Sequence, residues 1–258
     1  MTDSEKQPLP KLEILAMRDD TEKLSVKKRS AFNLPMRLLV AGKSMLSGKS
    51  TLCGNYLLRP FDQTDESGAQ FYKNDFDGND IYVICPSTLV DKKWQSIIKG
   101  KRIPPENVYD KYDEQELTDL YDRLESEYYE AVDEGEHPKP KLVIMDDCSF
   151  SGDFKAKISG ILAKYFCNGR HFNISVICTA QKWDQFSTVM RENCTGACIF
   201  SSSQRQNELI YNDVATMPKK QFLEMLQKAT HKKHSFLVVN YSNDPDERFL
   251  DCNFQKIE

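Results

Sequence analysis

Residues 37–41, Arg-Leu-Leu-Val-Ala, run without a break into Gly42-Lys43-Ser44-Met45-Leu46-Ser47-Gly48-Lys49-Ser50-Thr51, and residues 52–58 can continue as a helix. Few folds accept that succession. A strand, a Gly/Ser loop and a helix N-terminus together present consecutive backbone N–H groups to an anion, which is the construction of a P-loop. Gly48 lets the main chain approach phosphate closely, Lys49 is placed to meet the β and γ phosphates, and the Ser50 hydroxyl is placed to ligate Mg²⁺. Ser44, Ser47 and Thr51 complete the expected nucleotide-binding set. The spacing departs from G-x-x-x-x-G-K-[ST] at one point: the first glycine falls due at 43, where Lys43 stands, and Gly42 comes one residue early. Either the loop is one residue longer or Lys43 replaces the glycine.

Such a loop works with acids on the metal side, and residues 141–145 form a short aliphatic run ending in Asp146-Asp147. Ligands of a parallel sheet bind at the C-terminal ends of its strands. There Asp146 is expected to orient Mg²⁺ through its water shell and Asp147 to polarise the attacking water, with a reach one methylene shorter than glutamate's. Two acids after a strand also suit an ordinary turn, and the loop upstream decides between the two. The run at 174–179 ends in Ala180-Gln181, which puts an amide at the same edge, able to sense phosphate or the attacking water. Arg170 and Arg191 flank that run, and a bidentate guanidinium suits developing phosphate charge. A surface salt bridge is the competing role for each.

The same kind of run recurs at 81–85, 197–201 and 236–240, with helical patterns between. Short aliphatic strands buried on both faces and separated by helices predict an α/β fold with a mostly parallel central sheet flanked by helices. Leu117, Leu120, Tyr121, Leu124, Tyr128, Ala131 and Val132 recur at three- and four-residue steps, predicting a helix over 114–133. Ile158, Ile161, Leu162, Tyr165 and Phe166 form a second stripe that Asn168-Gly169 terminates, and Pro218 stands at the first turn of a third helix. Residues 1–30 are polar apart from a brief apolar patch at 12–17, so they read as a flexible tail before a single domain at 31–258.

No apolar run approaches the ~18 residues of a membrane span. The eight cysteines are scattered without a CxxC pair, so they read as reduced thiols. A net charge of −4 gives no global basic field, so any DNA contact must be local. Candidates are Lys92, Lys93, Lys99, Lys101 and Arg102, with Trp94 among them, and Lys219, Lys220, Lys232 and Lys233.

The loop, the Asp146-Asp147 strand end, the segment Gly169-Arg170-His171-Phe172-Asn173-Ile174-Ser175-Val176-Ile177 leading to Gln181, and Val189-Met190-Arg191-Glu192-Asn193 occur in that order. Over about residues 34–241 the chain resembles the viral genome-packaging ATPases of the FtsK/HerA superfamily, the poxvirus-type packaging ATPase of large DNA viruses and virophages above all. The resemblance implies a P-loop NTPase of the additional-strand catalytic-acid class, ATP and Mg²⁺ as ligands, and a homo-oligomeric ring of six subunits. It further implies movement of double-stranded DNA into a preformed capsid, with capsid or portal vertex proteins as partners, at the virus assembly site in the host cytoplasm and in the virion. Lys49 and Ser50 match the loop lysine and magnesium hydroxyl, Asp146 and Asp147 the acidic pair, and Gln181 the sensor. Arg170 and Arg191 are similar in position to family arginines, without saying which acts in trans. A GTPase is the enzymatic rival, since Gln181-Lys182-Trp183-Asp184 resembles a guanine-reading Asn-Lys-x-Asp, although no Asp-x-x-Gly follows the acidic strand. A nucleotide-bound assembly factor without turnover is the other alternative.

Overall fold

The aliphatic runs become strands because their side chains fill both faces of one sheet. The computed structural model describes residues 31–44, 47–58, 71–148 and 160–257. The expected tail at 1–30, loop residues Met45 and Leu46, and Ile158 of the second stripe lie outside them. Strand β1 (Arg37–Ala41) sends Leu39 and Ala41 into one core and Leu38 and Val40 into the other, the period of two that a strand imposes. Strands β2 (Ile81–Ile84), β4 (Lys141–Met145), β5 (Ile174–Ala180) and β6 (Gly196–Phe200) are buried likewise, and β7 (Phe236–Asn240) has the bounds expected of it. Two short strands, β3 (Val108–Tyr109) and β8 (Phe249–Leu250), were not legible as runs because two residues carry no periodicity.

Among the described residues the sheet has eight strands in the order β3-β2-β4-β5-β1-β6-β7-β8. The first six are parallel, with Leu39 opposite Cys178 on β5 and Val143 on β4 opposite Val176. The last two are antiparallel. Helices α6 (Gln204–Val214) and α7 (Lys219–Thr230) follow β6 in succession. One helix returns the chain to the edge where the preceding strand began, but two bring it back to the edge where that strand ended. So β7 descends against β6, and the turn at 231–235 lands beside the phosphate loop.

Helices α3 (Glu114–Asp133), α4 (Ile161–Cys167), α5 (Thr188–Asn193), α6 and α7 cover one face, through residues such as Leu120, Tyr165, Met190, Ile210 and Phe222. Helices α1 (Lys49–Leu58) and α2 (Lys92–Lys101) cover the other, through Leu52, Tyr56, Trp94 and Ile97. Helix α3 starts where expected because the Asp113 carboxylate caps the N–H groups of Gln115 and Glu116 at 3.0 and 3.1 Å. Pro218 is the residue just before α7 rather than within its first turn. No described helix is long and apolar enough to cross a membrane.

At the foot of β4, Lys141 Nζ donates to Asp80 Oδ1 at 2.8 Å and to Glu127 Oε2 at 2.7 Å, tying β4 to the segment before β2 and to α3. Burial of the ammonium pulls the Lys141 pKa down, but its two carboxylate partners outweigh burial and leave it raised. The pair therefore contributes fully below the ordinary lysine pKa of about 10.4. Its contribution is lost as pH rises through the raised folded-state value. Lys141→Ala leaves Asp80 buried without its cation and is expected to destabilise the protein by about 3 kcal/mol, read as a lower urea midpoint at neutral pH.

Candidate functional site

Gly42 continues the β1 ladder by donating its N–H to Ala180 O at 3.0 Å, which fixes the start of the loop against the end of β5. A Cβ at Gly42 would stand 2.6 Å from Ser47 Cβ and 2.9 Å from Phe200 Cβ, so this position accepts no side chain. Lys43 is exposed, and its carbonyl takes both the N–H of Ser47 at 3.3 Å and the Ser47 hydroxyl at 2.8 Å. Gly42 is thus the packing glycine and the loop is one residue longer. Lys43 does not stand in for a glycine. Gly48 has φ +94°, open to glycine at little cost, and there the chain enters α1. Leu52 N bonds back to Gly48 O at 2.9 Å, so the N–H groups of Lys49, Ser50 and Thr51 lie in the first turn, ahead of any intrahelical partner. Ser44 and Thr51 are exposed beside them.

The acids of β4 arrive at this same place. Ser50 Oγ donates to Asp146 Oδ2 at 3.0 Å, joining the start of α1 to the tip of β4 across the sheet. Lys49 is 5% exposed, donates to Gly42 O at 3.0 Å and holds its ammonium 3.6 Å from Asp147 Oδ1, an ion pair too long for a hydrogen bond. Asp146 is almost fully buried and its carboxylate is held from both oxygens: Thr179 Oγ1 donates to Oδ1 at 2.6 Å and Trp94 Nε1 to Oδ2 at 2.6 Å. The Cys85 thiol lies 3.8 Å from Oδ2, and burial pushes its pKa up to about 11, so it stays neutral there. Asp147 is half-buried in a left-handed backbone conformation with φ +52°, its N–H donated to Thr179 Oγ1 at 3.2 Å. Burial raises the Asp147 carboxyl, the Lys49 ammonium lowers it and the Asp146 charge raises it again, for a net upward shift. Oδ1 of Asp147 is buried without a hydrogen-bond partner, an acceptor set toward the loop.

Oxygen donors from Ser50 and Asp146, placed 3.0 Å apart, are the hard ligands that suit Mg²⁺, and the unpartnered acceptor of Asp147 lies just beyond them. Bound there, the metal would neutralise charge on the terminal phosphates. Gln181 stands at the tip of β5, one residue past the carbonyl that Gly42 engages, between the loop on β1 and the acids on β4.

The two arginines sit elsewhere in this chain. Arg170 is exposed on a turn before β5, at the end of the strand opposite Gln181. Arg191 on α5 is held by Asp213, which also accepts from Trp183 Nε1 at 2.6 Å, and its Nε donates to Phe186 O at 3.2 Å. Trp94 is fully buried against Asp146, which corrects its expected place among DNA-contacting side chains. Lys101 is also engaged, with its ammonium donating to Lys73 O at 2.8 Å and to Phe76 O. Lys232 and Lys233 line a cavity of about 270 Å³ with Lys43, Ser47, His231 and His234, where His234 Nδ1 lies 3.3 Å from Ser47 O. Asp184, the guanine-reading candidate, does not line that cavity and has its N–H on Gln206 Oε1 at 3.2 Å.

Sequence reasoning missed Thr179, Trp94 and His234. Thr179 could have been found, as a hydroxyl on an otherwise aliphatic strand that runs between the two motifs. Trp94 and Ile97, three residues apart, form the buried side of α2, but the lysines around them suggested a solvated face. His234 belongs to the site only because of the parity of helices before β7.

A phosphate loop on β1, a carboxylate pair on β4 and an extra strand, β5, between them define a P-loop NTPase of the additional-strand catalytic-acid class. The chain belongs to the poxvirus A32 protein family, whose profile matches residues 77–253, a span that begins after the phosphate loop and contains Asp146, Asp147, Arg170, Gln181 and Arg191. The fold is similar to that of the genome packaging NTPase B204 from Sulfolobus turreted icosahedral virus 2 in complex with AMP. That match has 12% identity, covers 81% of this chain and 94% of that one, and has a TM-score of 0.55. The ATP-gammaS complex of the same protein aligns at 13% identity over 80% and 93% of the two chains, with a TM-score of 0.52. No curated protein matches this chain in sequence.

Proposed function

We propose that this protein is an ATP-hydrolysing motor that drives double-stranded DNA into a preformed capsid. The observation that carries it is the meeting of Ser50 with Asp146 and of Lys49 with Asp147 across an inserted strand, which brings phosphate-binding, metal-binding and base groups to one point. In this reading Lys49 and the first-turn amides of α1 bind the β and γ phosphates, Ser50 and Asp146 hold Mg²⁺, Asp147 orients the attacking water and Gln181 senses the terminal phosphate. The structurally similar B204 is described as a genome packaging NTPase and was solved with AMP and ATP-gammaS, which supports ATP as substrate and packaging as the task.

The cavity beyond Ser47 lies on the β6 and β7 side of the loop, away from the acids, and suits the nucleoside end of ATP. Among the described residues no carboxylate lines it to receive the N–H groups of guanine, which disfavours a GTPase. Of the two arginines, Arg170 is exposed and Arg191 is committed to Asp213, so Arg170 is the better candidate for completing a neighbour's site in a homo-oligomeric ring of six subunits. DNA then contacts loops facing a central channel, with Lys92, Lys93, Lys99, Arg102, Lys219, Lys220, Lys232 and Lys233 the exposed basic candidates. Capsid or portal vertex proteins are the partners at the assembly site in the host cytoplasm and in the virion.

The test is native mass together with phosphate release, with and without double-stranded DNA and with GTP as competitor. A ring whose ATP turnover rises with DNA and is not displaced by equimolar GTP is expected. A ring or monomer that binds ATP without turnover would establish the assembly-factor alternative instead.

A further inference from the structure

Asp146 is 2% exposed, and three side-chain oxygen or nitrogen donors converge on its carboxylate: Thr179 on Oδ1, and Ser50 and Trp94 on Oδ2. Thr179 comes from β5, the strand inserted between the two motif strands, and Ser50 from the first turn of α1. The third comes from α2, a helix the catalytic motifs do not include. Trp94 is fully buried, and its indole N–H is donor only, so the 2.6 Å bond to Oδ2 has one polarity and cannot be reversed. Helix α2 is fixed at its start by the Asp91 carboxylate on Lys93 N at 2.8 Å, one residue before Trp94. It packs against α1 through Ile97, whose methyl and methylene carbons come within 3.2 Å of the point where a Cβ would sit on Gly54.

We infer that Trp94 is the positioning residue of the magnesium-side carboxylate, and that this bond makes α2 respond to the metal. The inference rests on the P-loop reading above. Ser50 would hold a metal through a hydroxyl lone pair, which leaves its O–H able to donate to Asp146, but as a freely rotating donor. Thr179 on one oxygen and Trp94 on the other would hold the carboxylate plane whether or not Ser50 also ligates a metal, leaving Oδ1 a lone pair for the metal's waters. Without the indole N–H, Oδ2 keeps only the Ser50 hydroxyl, which the metal would share, and the distant Cys85 thiol. The carboxylate then rotates or takes a water in place of the indole, and the metal site loses its preset geometry.

Partners of this kind around metal ligands are worth about ten- to a hundredfold in metal affinity. Trp94→Phe deletes the donor and keeps an aromatic ring, while leaving a small cavity where the rest of the indole packed. In the full-length protein with ATP-gammaS as the probe nucleotide, this variant is expected to raise the Mg²⁺ concentration at half-saturation about tenfold or more. Nucleotide binding measured in EDTA should stay at the wild-type value. An unchanged Mg²⁺ requirement in a folded variant, or equal losses with and without Mg²⁺, would overturn the assignment.

A second measurement needs no change at position 94. The chain has two tryptophans, so Trp183→Phe leaves Trp94 as its one indole. Titrating Mg²⁺ into that protein with ATP-gammaS should shift or quench the Trp94 emission along the same curve as metal binding. Flat emission over a range where metal binding is independently observed would sink the inference. If ATP-gammaS does not bind the wild-type protein even at saturating Mg²⁺, the P-loop reading itself is what has failed.

Discussion

Lys49→Ala is expected to lower kcat/KM for ATP on the order of a thousandfold or more while the protein stays folded. The ammonium is buried, bonded to Gly42 O at 3.0 Å and 3.6 Å from Asp147 Oδ1, so it already stands at the mouth of the loop and needs only a short swing to reach a terminal phosphate. Its removal has two consequences for catalysis. The phosphate loses the one lysine or arginine buried among the described residues, where a charge-assisted hydrogen bond is strongest. Asp147 also loses the neighbour that lowers its pKa, while burial and Asp146 continue to raise it, so its pKa moves further up. Stability is affected less, because Asp147 is only half-buried and can take water or a proton in place of the ammonium. Lys49→Arg should not rescue activity, since a planar guanidinium cannot fit a pocket shaped for a compact ammonium. Phosphate-release kinetics beside a thermal melt separate the two effects. A variant with more than a tenth of wild-type turnover would show that the loop does not bind phosphate as described.

Much of the site was legible before any fold was known, and its limits were physical. Strands β1 and β7 and helix α3 were found at their observed bounds because their apolar periodicity is long enough to count. The meeting of residues 49 and 50 with 146 and 147 followed from the rule that parallel strands deliver ligands at one edge. The role of Gly42 stayed open, since only Ser47 and Phe200 packed on either side of it show that no side chain fits. Trp94 was hidden by composition: a tryptophan among lysines looks exposed, and its burial depends on α1 and β4, which are distant in sequence. Likewise Lys232 and Lys233 are exposed, as a charge run suggests, but only the two consecutive helices before β7 bring them beside Ser47. Arg191 shows the opposite case, where a suitable residue type in a suitable order proves to be occupied by Asp213. Pairwise contacts across the sheet carry this information, and local pattern does not.

Asp147→Asn is expected to lower kcat by about a hundred- to ten-thousandfold, the usual worth of a general base, with little change in the KM for ATP or in stability. The backbone makes this a clean substitution. Asp147 sits at φ +52°, a region that Asn and Asp tolerate better than other side-chain-bearing residues, so the amide can take the same conformation. The N–H bond to Thr179 Oγ1 belongs to the main chain and survives as well. What changes is Oδ1, the buried acceptor without a hydrogen bond, which loses the charge that draws a proton from water. Asp147→Glu probes reach against conformation. The longer acid extends one methylene further but fits the left-handed backbone less well, by roughly 1 kcal/mol. It should therefore melt below wild type and keep part of the turnover that the amide loses. Near-wild-type kcat in Asp147→Asn would remove Asp147 from the chemistry and leave Gln181, at the neighbouring strand tip, as the group that orients the water.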